Sequence, residues 1–449
     1  MHSEIDKSKH AFRRRVLDQA FSEKALADAE GLILENARRW LEYLGADTLE
    51  SGWTRSRDMN DWCNWLSFDL MGDMTFGRDF GCVTKAEHRF IPDVVLNATK
   101  FVYVVRSFLT FTSLASTNLK LVIRQAGFWP FISLVRPLFG TKWASLLMPA
   151  GNAKENVAYA KYAGSMMDDR LAAEAEKTTN GGEGANGTTD QAHRRKDFVH
   201  YLLHTKDPET GQGLSIHELH ADSGLLIHAG SDTTAITLSA ALFYLLHNPS
   251  VLSRLTGLIR STFPRIESIR SGPELTSCNY LRACIDETMR MATPVPSHLP
   301  REVMAGGIEI DGHYFPAGTV VGVAPWTIHH NAQYYPDPFT FNPDRWIVTE
   351  GNEESVRIAR AAFCPFGIGS RGCAGKRVAY LELNLVLATL LWTYDMKLAD
   401  ADVDVVKKVK GGAKSRHRDL RDRQDVYQIW DHFVADREGP IVRFKKRQN

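Results

Sequence analysis

A mainly α-helical fold with a small β region, the α+β class, is predicted by three observations. Apolar residues recur at helical spacing through the first two-thirds of the 449-residue chain, for example over Phe21 to Leu44 and Asn152 to Glu176. A continuous apolar run, Gly224 to Leu246, reads as one long buried helix. Strand-forming residues gather at Gly307 to Val323 (GIEIDGHYFPAGTVVGV), where Asp311-Gly312 supplies a hairpin turn.

The Gly224 to Leu246 run has the length of a membrane span. His228, Asp232 and the hydroxyls of Ser231, Thr233 and Thr234 stand in its middle, which suits the central helix of a large folded domain better. At ~150 residues per domain the length suggests about three domains. No shift of composition separates independent cores, however, so a single domain over 1–449 is expected. Two polar stretches read as flexible loops: Glu174 to Lys196, rich in Gly, Thr and Asn, and Gly411 to Arg423. A net charge of +1 gives no reason to invoke nucleic acid. The six cysteines show neither C-x-x-C spacing nor a secreted disulfide framework, and they suit a reducing compartment. Adjacent His329 and His330, on an expected helical turn, point in different directions and are not read as a metal site.

The chemistry concentrates in Phe366 to Gly375, FGIGSRGCAG. Gly367, Gly369, Gly372 and Gly375 let the backbone turn at positive φ and pass close to something flat. Cys373 stands just before an apolar segment that begins at Val378 and reads as a buried helix. The helix dipole and the neighbouring Arg371 both favour a thiolate there over a thiol. A sulfur held against a metal and an ordinary turn around a small buried cysteine stand about equal on this window alone.

The full pattern F-x-x-G-x-R-x-C-x-G, with Phe366, Gly369, Arg371, Cys373 and Gly375 in place, resembles the haem-binding loop of the cytochrome P-450 superfamily. Ala229 to Thr234, AGSDTT, is similar to that family's oxygen-activation motif, Ala/Gly-Gly-x-Asp/Glu-Thr-Thr/Ser. Glu287-Thr288-Met289-Arg290 and Pro343-Asp344-Arg345-Trp346 resemble its Glu-x-x-Arg and P-x-R-F/W elements, in the family's order.

The resemblance implies a cytochrome P-450 fold holding haem b, with Cys373 as the axial ligand of the iron. It assigns propionate contacts to His10, Arg14, Arg301 and Arg371, and places Phe366 beside the cofactor. Arg13 and Arg15 are left as a solvated basic face. Asp232 and Thr233 are expected to pass protons, although a helical threonine also back-bonds to the i−4 carbonyl. Gly230 is expected to leave room beside the haem, with Ser297, His298 and Leu299 near the substrate. Glu287, Arg290 and Arg345 form a structural cluster on the same footing. Electrons are expected from NADPH through a separate flavoprotein reductase, which Lys376 and Arg377 could help to dock. The substrate is expected to be a hydrophobic small molecule, hydroxylated or epoxidised.

The pattern looks most like fungal microsomal members of secondary metabolism. The family's eukaryotic members usually begin with a membrane anchor and further strands. Here Met1 is followed almost at once by the His10/Arg14 helix, so an N-terminally truncated form is expected, intracellular and at the endoplasmic reticulum by resemblance. The aromatic-rich Phe101 to Phe111 is read as a pocket roof, a peripheral membrane contact or a plain packed helix. Two alternative functions stay open: a non-catalytic haem- or ligand-binding remnant, and a haem-thiolate isomerase or dehydratase that needs no reductase.

Overall fold

Asp6 starts the first helix by accepting the backbone N–H of Lys9 at 2.9 Å, and α1 runs from Lys7 to Ala20. Ser22 caps α2 (Glu23–Leu44) in the same way. The helix expected over Phe21 to Leu44 is therefore present as α2, starting two residues later, after a capped break at Phe21-Ser22. The computed structural model describes residues 6–97, 153–179, 196–399 and 423–448. Further helices are α3 (Met59–Phe76), α4 (Ala153–Thr179), α5 (Phe198–His204), α6 (Ile216–His247) and α7 (Pro249–Thr262). After them come α8 (Asn279–Met291), α9 (Pro325–His329), α10 (Glu353–Ala362) and α11 (Lys376–Thr393).

The chain forms two compact units. The first comprises Met1–Thr48, Asp61–Ala235 and Ala374–Leu390. Its core takes Val16 and Leu17 from α1, Ile33, Ala37 and Trp40 from α2, and Leu66, Leu70 and Met74 from α3. Buried polar groups are tied within it: Trp40 Nε1 donates to the Trp62 carbonyl at 2.9 Å, and Asn36 Nδ2 donates to Asp73 at 2.8 Å. Phe21 meets Phe198 edge to face at 5.1 Å.

The second unit comprises Leu49–Asn60, Ile236–Cys373 and Leu391–Asn449. Tyr244 stacks on Phe341 at 4.9 Å within a core that includes Ala240, Met291 and Tyr427. The expected hairpin is present: β3 (Ile308–Ile310) pairs antiparallel with β4 (His313–Phe315). Asp311 and Gly312 make its turn with φ of 50° and 73°. Short strands β2 (Arg301–Glu302) and β5 (Val320–Val321) also pair. The longest paired strands lie elsewhere, at the C-terminal end. There β9 (Ile441–Lys446) pairs with β1 (Arg57–Asp58) and β6 (Tyr394–Leu398), and β7 (Ile429–His432) with β8 (Val434–Arg437).

Other expectations need correction. The stretch from Glu174 expected as a loop is helical in its first part, because α4 continues to Thr179. Arg170 and Glu174 form an i, i+4 pair at 2.7 Å, and Ala, Glu and Lys favour helix there. The rest of that stretch up to residue 195, residues 411–422 and Phe101 to Phe111 lie outside the described residues. Among the described residues no single helix is long and apolar enough to cross a membrane.

Arg13 and Arg15 of α1 are not the solvated basic face expected of them, because each reaches a buried carboxylate. Arg14 pairs with the exposed Asp18 at 2.7 Å. Arg13 reaches Asp222, whose side chain is 1% exposed, and Arg15 reaches the buried Asp207 at 2.6 Å. The Arg15 guanidinium holds the Asp207 carboxyl well below its ordinary range. Removing a partner from a buried carboxylate costs more than breaking an exposed pair. We therefore expect Arg13→Ala to destabilise the protein by about 1–3 kcal/mol, and Arg14→Ala by under ~0.5 kcal/mol. Thermal unfolding of the two variants checks the order.

Candidate functional site

In the second unit the site starts from a buried carboxylate. Glu287, on α8, accepts both forks of Arg290 at 2.9 Å, Nε to Oε2 and Nη2 to Oε1. Arg345 Nε adds a bond to Oε1 at 3.0 Å, Trp346 Nε1 one to Oε2 at 3.0 Å, and the Asn342 N–H one to Oε1 at 2.9 Å. Burial by itself would raise the Glu287 carboxyl, but Arg290 and Arg345 outweigh it and hold the group below its ordinary value. Arg290 also donates to the His329 carbonyl at 2.8 Å and the Pro338 carbonyl at 2.7 Å. The cluster thus pins the chain from α9 to Trp346 onto α8.

His329 extends this scaffold to the cysteine loop. Its Nε2 accepts the backbone N–H of Cys364 at 3.0 Å, while Nδ1 lies 2.8 Å from the Thr293 hydroxyl. Since Thr293 donates to the Met289 carbonyl at 3.0 Å, His329 Nδ1 is the donor in the other bond. Burial, then Arg290, depresses the His329 imidazole to about 3, so it serves as a neutral bracket. His330 instead stacks on Trp326 at 4.2 Å, and the two histidines do not share a site.

From Cys364 the chain turns on its glycines. Gly367 (φ 67°) donates to the Cys364 carbonyl at 3.0 Å, and Gly369 (φ 79°) opens a 3₁₀ turn closed by Gly372 N–H at 2.9 Å. Cys373 N–H donates to the Phe366 carbonyl at 2.7 Å, which leaves the sulfur exposed. A Cβ at Gly372 would lie 3.2 Å from the Gly369 oxygen, so a side chain there would crowd the turn. Arg371 and Phe366 are half-buried beside it. Arg301, on β2, is exposed and donates to the Pro300 carbonyl at 3.0 Å. Ser297 and Leu299 are half-buried, and His298 packs over Gly322, where a Cβ would come within 2.9 Å of its ring. This donor set fits haem b: one thiol on a glycine turn, with guanidinium groups in the same unit suited to carboxylates.

In the first unit, α6 carries Ser231, Asp232 and Thr234 buried and Thr233 half-buried. The Thr233 hydroxyl donates to the Ala229 carbonyl at 2.8 Å, the i−4 back-bond. A Cβ at Gly230 would meet Met71 Sδ at 2.5 Å, so the missing side chain admits α3 there. His10 is buried on α1.

Sequence reasoning missed Glu382. Fully buried on α11, it accepts the Thr234 hydroxyl at 3.2 Å, and burial raises its carboxyl to about 8. Its signal was a lone acid inside the apolar run AYLELNLVLATLLW.

The model of the cytochrome P450 family matches residues 4–413. The chain is 32% identical over 444 residues to a cytochrome P450 monooxygenase of Gibberella zeae, covering 99% of this chain and 90% of that one. To the cytochrome P450 monooxygenase fscF of Fusarium equiseti it is 33% identical over 451 residues, covering 100% and 76%. Among solved structures, the crystal structure of the cytochrome P450DA heme domain superposes with a TM-score of 0.64 at 18% identity, over 97% of this chain and 77% of that one. This last likeness shows the fold.

Two outcomes follow for these buried acids. Arg345→Ala takes one of two cations from Glu287 and should cost about 3–5 kcal/mol. Denaturant unfolding reads that loss, and Arg345→Lys should recover little of it, because lysine lacks the guanidinium fork. Glu382 has a folded pKa above its unfolded one, so the folded chain keeps a proton that the unfolded chain releases from pH 4.5 up to about 8. Stability should therefore fall as pH rises through that window, by at most roughly 1.4 kcal/mol per unit. Glu382→Gln should flatten that slope, with the largest gain near pH 8, in melts recorded from pH 5 to 8.

Proposed function

The chain belongs to the cytochrome P450 family of haem-thiolate monooxygenases, and from that premise we propose that it hydroxylates or epoxidises a hydrophobic small molecule. The observation that carries this reading is the glycine turn presenting Cys373, seated through His329 on the Glu287 cluster. Haem b on that sulfur supplies oxygen activation, with two electrons from NADPH through a separate flavoprotein reductase.

The chain's own residues orient and feed that chemistry. Arg301 and Arg371 offer guanidinium groups to the haem carboxylates, with His10 and Arg14 as further partners. Asp232 and Thr233 move protons inward, and Thr233 would exchange its bond to the Ala229 carbonyl to do so. Ser297, His298 and Leu299 border the substrate. Lys376 and Arg377, both exposed at the start of α11, meet an acidic reductase surface. Residues 1–449 act as one catalytic domain on this reading, in secondary metabolism and at the endoplasmic reticulum, as family resemblance suggests.

The test is turnover with NADPH and a flavoprotein reductase under ¹⁸O-labelled dioxygen, with a panel of apolar polyketides, terpenoids and aromatic acids. The product should gain one labelled oxygen. Thr233→Ala should lower product per NADPH consumed by on the order of 10-fold, with peroxide released instead. Product formed without reductase would indicate the isomerase or dehydratase class. Unchanged coupling in Thr233→Ala would remove that residue from proton delivery.

A further inference from the structure

Away from the cysteine loop, one group of three ligand-type side chains converges among the described residues of the first unit: Glu174, His200 and His204. The two histidines stand one turn apart on α5, four residues from each other, and so share a face. Val199 and Leu202 turn inward on the same helix and are fully buried, which leaves the imidazoles at its rim. Their ring centroids lie 4.4 Å apart. Glu174, near the end of α4, brings one carboxylate oxygen to both. Its Oε1 is 3.1 Å from His200 Nδ1 and 3.6 Å from His204 Nε2.

Those separations carry chemical information. Tetrahedral zinc with bonds of about 2.0–2.2 Å to nitrogen and oxygen sets its ligand atoms about 3.3–3.5 Å apart. The two measured distances fall on either side of that value. A simple hydrogen bond to Glu174 needs only one imidazole, whereas here two close on the same oxygen.

The surroundings prepare the ligands. His204 Nδ1 lies 2.8 Å from the His200 carbonyl, where only an N–H satisfies the contact, so Nε2 keeps its lone pair. Glu174 Oε2 accepts Arg170 Nη1 at 2.7 Å, which fixes the carboxylate plane and leaves Oε1 to the histidines. Arg170 is in turn held by Asp197, whose Oδ1 caps α5 by accepting the His200 N–H at 2.7 Å. The formal charges of Arg170, Glu174 and Asp197 leave a net single negative charge beside two imidazoles, which favours a cation.

We propose that Glu174, His200 and His204 form a zinc site that ties the last turns of α4 to α5. It uses two imidazole nitrogens and one carboxylate oxygen, and the fourth position goes to water. The site lies outside the haem chemistry proposed above and does not rest on it.

The test is calorimetric titration of zinc chloride into the purified full-length haem protein, first stripped with a chelator, alongside its His204→Gln and His200→Gln variants. His204 is mostly exposed, so its replacement spares the fold. One zinc per chain is expected, with a zinc-dependent rise in unfolding temperature. Each variant should weaken binding by roughly 10-fold or more and abolish that rise. A His204→Gln protein that binds zinc as tightly as the parent, or a parent without a one-to-one site, would overturn the proposal and leave the trio as a hydrogen-bonded helix clamp.

Discussion

The carboxylate of Glu287 is the constraint on which the cysteine-loop half of the second unit depends. It is completely buried, and a bare charge there would cost several kcal/mol in lost hydration. It persists because five donors converge on its two oxygens: two from Arg290 and one each from Arg345, Trp346 and Asn342. Those donors come from both α8 and the chain after α9, so the two must come together for either to be stable. Arg290 spends its remaining N–H groups on the carbonyls of His329, Pro338 and Thr340. His329 then receives Cys364, the residue from which the cysteine loop departs. Position is passed from a buried charge to a neutral imidazole and on to a backbone N–H.

The first unit manages its buried acids in two ways. Arg15 reaches Asp207 from α1 and holds its carboxyl well below the ordinary range, and Arg13 of the same helix pairs with the buried Asp222. Glu382, buried with the Thr234 hydroxyl as its hydrogen-bond partner among the described residues, keeps its proton to about pH 8 instead. Neutral Glu382 beside Thr234 gives α6 a polar lining without a fixed charge. Thr233, one residue earlier, has its hydroxyl turned onto its own helix.

Much of this was legible in the sequence, for reasons that differ by residue. Helix α8 and the Asp311-Gly312 hairpin follow from periodicity and from the φ that only certain residues tolerate. The Glu287–Arg290–Arg345 grouping was recognisable only by family pattern, since Glu-x-x-Arg by itself is usually surface decoration. The strand β9 alternates Val442 and Phe444 inward with Arg443 and Lys445 outward, a clear period of two, yet its partners β1 and β6 are remote in sequence. The roles of Arg13 and Arg15 were hidden for the same reason: Asp222 and Asp207 lie about 200 residues away. The contact of Gly230 with Met71 of α3 was likewise not legible, because glycine reports only that something is close. The two histidines of α5 carry an i, i+4 signal, but Glu174 joins them only through the fold.

On this reading the scaffold presents Cys373 to haem iron, and the decisive experiment is the carbon monoxide difference spectrum of the dithionite-reduced protein with Cys373→Ala beside it. A red-shifted Soret band in the parent that disappears in Cys373→Ala is the predicted result. Failure to take up haem, a band typical of another ligand, or a red-shifted band that survives in Cys373→Ala would contradict it.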